Sequence, residues 1–521
     1  METLSKIISF VNDNILWGIP MVVLILGVGI YLTVRNRFMQ VTKFPYAVKN
    51  TIGALGKKQA LKGKGKSLSQ FEAFSTAIAG TVGTGNIVGV ATALVAGGPG
   101  AIFWMWTSAF VGMFTNYAEN VLGIYYRREN KDGHYVGGPM YYIEEGLGLK
   151  WLAVLFAIFC MLASFGMNMV QVNTIATTLD GGFSMPAWAT GLIVAALIAL
   201  IIIGGVKRIG KIASMIVPFK CLSFIVMALV IIFINVKQIP AALGMIFSNA
   251  FSIKAVGGGV LGYAFMRAMR YGLARGIFSN EAGLGSSVIA HSASDTREPV
   301  RQGLWGIFGV FLDTIIICTL TALVLITSGV YDLNTVIDGG ANLTEIAFTE
   351  SFGTFGNIVF CIILPLFAFT TILSWAYYGE KSFEYIFGGK YAIIYKIIYV
   401  VLIVVGAISG VTLVWDLADL FNGLMAIPNL IALFVLGGVV TRITRNYFER
   451  KKGKKIMPML SAYPEANASN TAEYIAEGGE EGEIGAALCE DTDDEKTDNP
   501  DEHIQDDGSQ PTDESKQERH F

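Results

Sequence analysis

The stretch GTVGTGNIVGVA, residues 80–91, lies inside an apolar run, residues 71–97, long enough to cross a bilayer, yet it sets Gly80, Gly83, Gly85 and Gly89 around the polar Thr84 and Asn86. Each interior glycine weakens a helix by about 1 kcal/mol relative to alanine, so this spacing predicts a helix that unwinds at mid-depth. In lipid an unwound backbone is tolerated only where its freed N–H and C=O groups face protein or a wet cavity. The two half-helices then present opposite tools at one depth: N–H groups that attract an anion and C=O groups that hold a cation. Gly85 and Gly89 also form a GxxxG pattern, which by itself fits a close helix-packing face equally well.

A second interruption decides between these readings. ARGIFSNEAGLGSSVIAHSAS, residues 274–294, places Ser279, Asn280, Glu281, Gly283, Gly285 and Ser286 inside another segment of span length. The two interrupted segments lie five spans apart. With a first span set aside as accessory, the rest divides into two five-span halves, each opening on a discontinuous helix. Five is odd, so the halves have inverted topology, which points to a secondary transporter with its site near the midplane.

Composition agrees. Of 521 residues 53% are hydrophobic and 15% charged, with mean hydropathy +0.54, which places the chain among multi-span membrane proteins. Apolar runs fall near 15–34, 71–97, 101–126, 151–178, 187–205, 213–235, 261–292, 303–328, 354–380, 391–411 and 417–440, an expected eleven spans. The net charge of −3 hides an asymmetry: residues 463–521 carry 19 Asp/Glu against 3 Lys/Arg, leaving 35 Lys/Arg against 22 Asp/Glu elsewhere. Basic residues cluster in alternate connections, 35–66, 127–131, 207–211, 297–301, 381–396 and 442–455. The positive-inside rule therefore predicts an external N-terminus and a cytoplasmic C-terminus. Arg267, Arg270 and Arg275 in the seventh span read as snorkelling or paired side chains of a half-helix.

The expected division is an accessory N-terminal transmembrane helix over residues 1–36, a basic cytoplasmic connection over 37–69, five-helix repeats over 70–236 and 237–441, and a basic then acidic disordered cytoplasmic tail over 442–521. Cys160, Cys221, Cys318 and Cys361 stand singly in apolar runs and Cys489 in the tail, so neither a disulfide framework nor a metal motif is expected. The fourth span carries Asn168, Gln171 and Asn173; the ninth carries Thr370, Thr371 and Ser374, whose hydroxyls can share a helix face as ligands of a hard cation.

Together, TVGTGNIVGVATALVAGGPGAIFWMW, GGPMYYIEEGL, NMVQVNT, GIFSNEAGLGSSVIAHSAS and TTILSWAYYGEK resemble, in order, signatures of the alanine or glycine:cation symporters, also called the sodium:alanine symporter family. The resemblance stops near residue 456. It implies an all-α polytopic membrane protein with a leucine-transporter-type 5+5 inverted repeat, one extra N-terminal helix and alternating access. By the same resemblance the substrate carboxylate meets N–H groups around Thr84 and Gly85 with Gln171 as a donor, Ser279 and Asn280 meet the amino group, and Trp375 closes the apolar side. Sodium would be held by carbonyls of Ala79 and Val82 with hydroxyls of Thr371 and Ser374, or Thr370 in a register shifted by one. Ser374 departs from the glycine of many members, and Glu281 is left without an assigned role.

The expected activity is sodium-coupled uptake of alanine or glycine across the cell membrane, with no cofactor, no nucleic-acid partner and no enzymatic step. Glutamine as substrate, H+ as coupling ion and, more distantly, an ion channel stay open as alternatives.

Overall fold

A computed structural model describes residues 2–55, 67–130, 133–251, 260–331 and 342–452. The acidic tail lies outside the described residues. So do positions 56–66 of the first basic connection.

All eleven expected segments are helical. Among the described residues, seven helices are long and apolar enough to cross a membrane, including Lys150–Phe183, Gly205–Ile234 and Thr354–Phe387. The first segment, Ile19–Arg35, packs on the third, Gly100–Tyr125, and on the eleventh, Val411–Lys451. The eleventh runs past the boundary read at 441, because Arg450 in its last turn reaches Glu298 at 2.7 Å. Short helices over Pro139–Leu147, Ile239–Ala250 and Leu343–Phe352 lie in the connections between the apolar segments.

Outward faces are apolar: Leu200, Phe219, Leu222 and Phe233 are each more than 60% exposed, as a hydrocarbon solvent requires. Polar residues of the fourth segment turn inward instead. Asn168 donates to Tyr399 O at 2.9 Å, and Asn173 to Ser409 O at 2.9 Å and Gly406 O at 3.2 Å, tying this helix to the tenth, Ala392–Ile408.

Residues in or beside three of the basic connections meet at one end. Leu68 N donates to Ala293 O at 3.0 Å and Asp295 N to Leu68 O at 2.7 Å, while Arg127 donates to the carbonyls of Ser294 and Thr296, each at 2.6 Å. These bonds tie the three segments together. At the other end Ser9, Asn12, Trp17, Arg270, Asp416 and Phe278 line a cleft, and Arg275 lies 3.7 Å from Asp419. Arg267 and Arg270 rest over the Tyr271 ring at 5.7 and 5.4 Å.

Candidate substrate and cation site

The second segment breaks. Its first half, Gln70–Thr81, starts on a reciprocal cap, with Glu72 N donating to Ser69 Oγ at 3.1 Å and Ser69 N to Glu72 Oε2 at 2.8 Å. The helix ends at Val82, passes through a tight turn over Thr84–Asn86 and resumes as Val88–Gly97. Asn86 organises the turn: its Oδ1 accepts from Gly83 N at 2.9 Å, its carbonyl accepts from Thr321 Oγ1 at 2.8 Å, and its Nδ2 donates to Asp313 Oδ1 at 2.8 Å.

The seventh segment breaks opposite it. Val260–Asn280 ends where Glu281 takes φ +56°, Gly283 and Gly285 follow at +93° and +81°, and Ser287–His291 resumes. Ser279 Oγ donates to Asp313 Oδ2 at 2.9 Å, and Asn280 Nδ2 donates to Thr314 Oγ1 at 3.1 Å. One carboxylate, on a π-helical stretch of the eighth segment over Phe311–Cys318, thus joins both breaks. A Cβ placed on Gly85 would stand 3.7 Å from Ser279 Cα, so Thr84, Gly85, Ser279 and Asn280 belong to one locus. The Thr84 Oγ1 and Gln171 Oε1 atoms are buried without a hydrogen-bond partner. Buried polar atoms normally find one.

Gln171 and Trp375 are not joined to that locus by a hydrogen bond. Trp375 Nε1 donates to Glu281 Oε1 at 3.1 Å, and the other Glu281 oxygen accepts from Ser286 Oγ. Glu281 therefore braces its own break. A second buried carboxylate supports the same turn: Glu119 Oε1 accepts from Gly283 N at 3.0 Å and from Asn429 Nδ2 at 2.7 Å.

The residues expected to hold sodium meet where the second segment packs on the ninth, Thr354–Phe387. Thr371 Oγ1 donates to Ala79 O at 3.0 Å, and Ser374 Oγ to Thr76 O at 2.6 Å. Gly80 permits this approach, since a Cβ there would stand 2.7 Å from the Tyr378 hydroxyl and 3.2 Å from Ser374 Cβ. Gly89 has open space, so its half of the GxxxG pattern is not a packing contact. Val82 O and Thr370 Oγ1 accept from Lys220 Nζ at 2.6 and 2.5 Å. The expectation that a ligand bonds the freed carbonyls is thereby amended: protein hydroxyls and an ammonium already do so.

The profile of the sodium:alanine symporter family matches residues 1–460. The chain belongs to this family. It is 46% identical over 455 residues to "Sodium/alanine symporter AgcS" of Methanococcus maripaludis, covering 86% of this chain and 98% of the relative. It is 40% identical over 457 residues to "Probable sodium/glutamine symporter GlnT" of Bacillus subtilis, covering 87% and 93%. Among solved structures, MhsT in complex with L-phenylalanine superposes with a TM-score of 0.53 at 13% identity, over 74% of this chain and 99% of that one. The fold is therefore of the leucine-transporter type, and this family member is a sodium-coupled amino-acid symporter of the membrane rather than an enzyme.

Asp313, Glu119 and Lys220 were missed from the sequence. Each is a lone charge inside an apolar segment, and intramembrane ionisable residues are costly enough to mark function by default. That signal was present for all three.

Proposed function

We propose that this symporter couples Na+ entry to uptake of a small neutral amino acid, alanine or glycine, into the cytoplasm by alternating access. The observation that carries the reading is the pair of opposed helix breaks bridged by Asp313, beside the junction of Ala79, Val82, Thr370, Thr371 and Ser374. N–H groups around Thr84 and Gly85 receive the carboxylate with Gln171, while Ser279 and Asn280 face the amino group. Trp375 borders the site through Glu281. AgcS bears the name of alanine and supports this substrate class; GlnT bears that of glutamine and keeps it as the second reading.

The basic end is the cytoplasmic one by charge, and the cleft beside Phe278 then opens outward. One Na+ crossing 100 mV supplies about 2.3 kcal/mol, and a tenfold Na+ gradient about 1.4 kcal/mol. Together these sustain several-hundredfold accumulation.

Reconstituted protein given Na+ and H+ gradients separately tests this. Accumulation of labelled alanine, driven by Na+ and competed by glycine more than by glutamine, is expected. Uptake driven by H+ alone, or competed best by glutamine, would replace the reading.

A further inference from the structure

Lys220 lies in the middle of the sixth segment and is fully buried, whereas its neighbours Phe219 and Leu222 are 61% and 63% exposed. The helix thus has a lipid face available. A lysine in a membrane segment ordinarily runs its stem toward the interface and its head into water, but this one points inward to the break of the second segment. Its Nζ donates to Val82 O at 2.6 Å and Thr370 Oγ1 at 2.5 Å, and stands 4.8 Å from the centre of the Phe367 ring. Val82 O closes the C-terminal end of a half-helix, where partial negative charge collects. The Thr370 hydroxyl spends its own proton on Leu366 O and Phe367 O, at 3.1 and 3.0 Å, and so turns a lone pair to the ammonium.

Two of the five groups read as sodium ligands are therefore bound to a cation that belongs to the chain. We propose that the Lys220 ammonium is a tethered competitor of Na+ at the junction of the second and ninth segments, so that Na+ enters as the lysine withdraws. This rests on the sodium-site reading above. Two like charges within one oxygen cage repel strongly at interior dielectric, so the site holds one or the other. The exchange keeps the freed carbonyl end paired in every state, as its burial demands. It turns on where the side chain lies, since an ammonium and Na+ carry the same charge.

Equilibrium binding of radioactive Na+ to the purified full-length protein decides the matter. Lys220→Met and Lys220→Gln, which remove the charge and keep much of the volume, are expected to bind Na+ about tenfold more tightly, and adding Thr371→Val to either should abolish that gain. Unchanged or weaker binding in a folded neutral variant that still responds to Thr371→Val overturns the competition and leaves the sodium site standing. Binding indifferent to Thr371→Val in every background overturns the sodium site and the competition together. Should both neutral variants fail to fold, Lys220→Arg, which keeps the charge on a bulkier head, is expected to weaken Na+ binding, and equal binding would overturn the proposal.

Discussion

Thr371 shows how much one hydroxyl carries here. It spans the gap between the ninth segment and Ala79 O at 3.0 Å, and no other oxygen of its helix makes that bond. Thr371→Ala is expected to raise the Na+ concentration for half-maximal alanine uptake about tenfold, the scale of one lost bond to a charged group; measured sodium dependence equal to the parent's would remove it from the site. Gln171 carries a different expectation, because its Oε1 is buried and unpartnered. Gln171→Ala should weaken alanine binding in a protein that still folds, and isothermal titration reads this directly. Asp313 gathers Asn86, Ser279 and Thr314 around one carboxylate. Replacing it by asparagine keeps the shape but loses charge-assisted bonds, so alanine uptake should fall by about tenfold or more, with an unaltered elution profile in size-exclusion chromatography.

At the scale of elements, the two breaks differ in how they are made. The second segment unwinds through a turn whose groups are bonded by Asn86, Thr321 and Lys220; the seventh does so through left-handed backbone at Glu281, Gly283 and Gly285. Gly283→Ala must hold an alanine at φ +93° and is expected to lose about 1–2 kcal/mol. Gly89→Ala enters open space within the helix Val88–Gly97 and should be neutral or gain up to about 1 kcal/mol. Thermal unfolding of the two variants in detergent checks the contrast, and equal midpoints would contradict it. Both breaks were legible because glycine and polar residues punctuate an otherwise continuous apolar pattern. The bonds that hold them were not, since Asn86 and Asp313 stand 227 positions apart.

For the whole molecule, Leu68, Arg127, Asp295 and Arg450, in or beside four of the basic connections, make their contacts at one end of the helices. The acidic tail contains none of the sequence motifs. Truncation after residue 459 is expected to leave the alanine uptake rate per folded transporter within about twofold of the parent, the equivalent of roughly 0.4 kcal/mol, and a larger loss would assign the tail a part in transport.

Hydropathy, glycine spacing and charge alternation sufficed for the class of protein, the helical segments and the location of both breaks, because a bilayer forces each segment to declare its length and polarity locally. They were silent on Lys220 entering the expected sodium cage, on Glu281 bracing Trp375 and on Asp313 linking the two breaks. Those are choices of helix rotation and crossing, set by packing between segments distant in sequence, such as those of Asn86 and Asp313, 227 positions apart. Which face of a helix a lone charge occupies depends on the neighbour it meets, and only the folded chain supplies that neighbour.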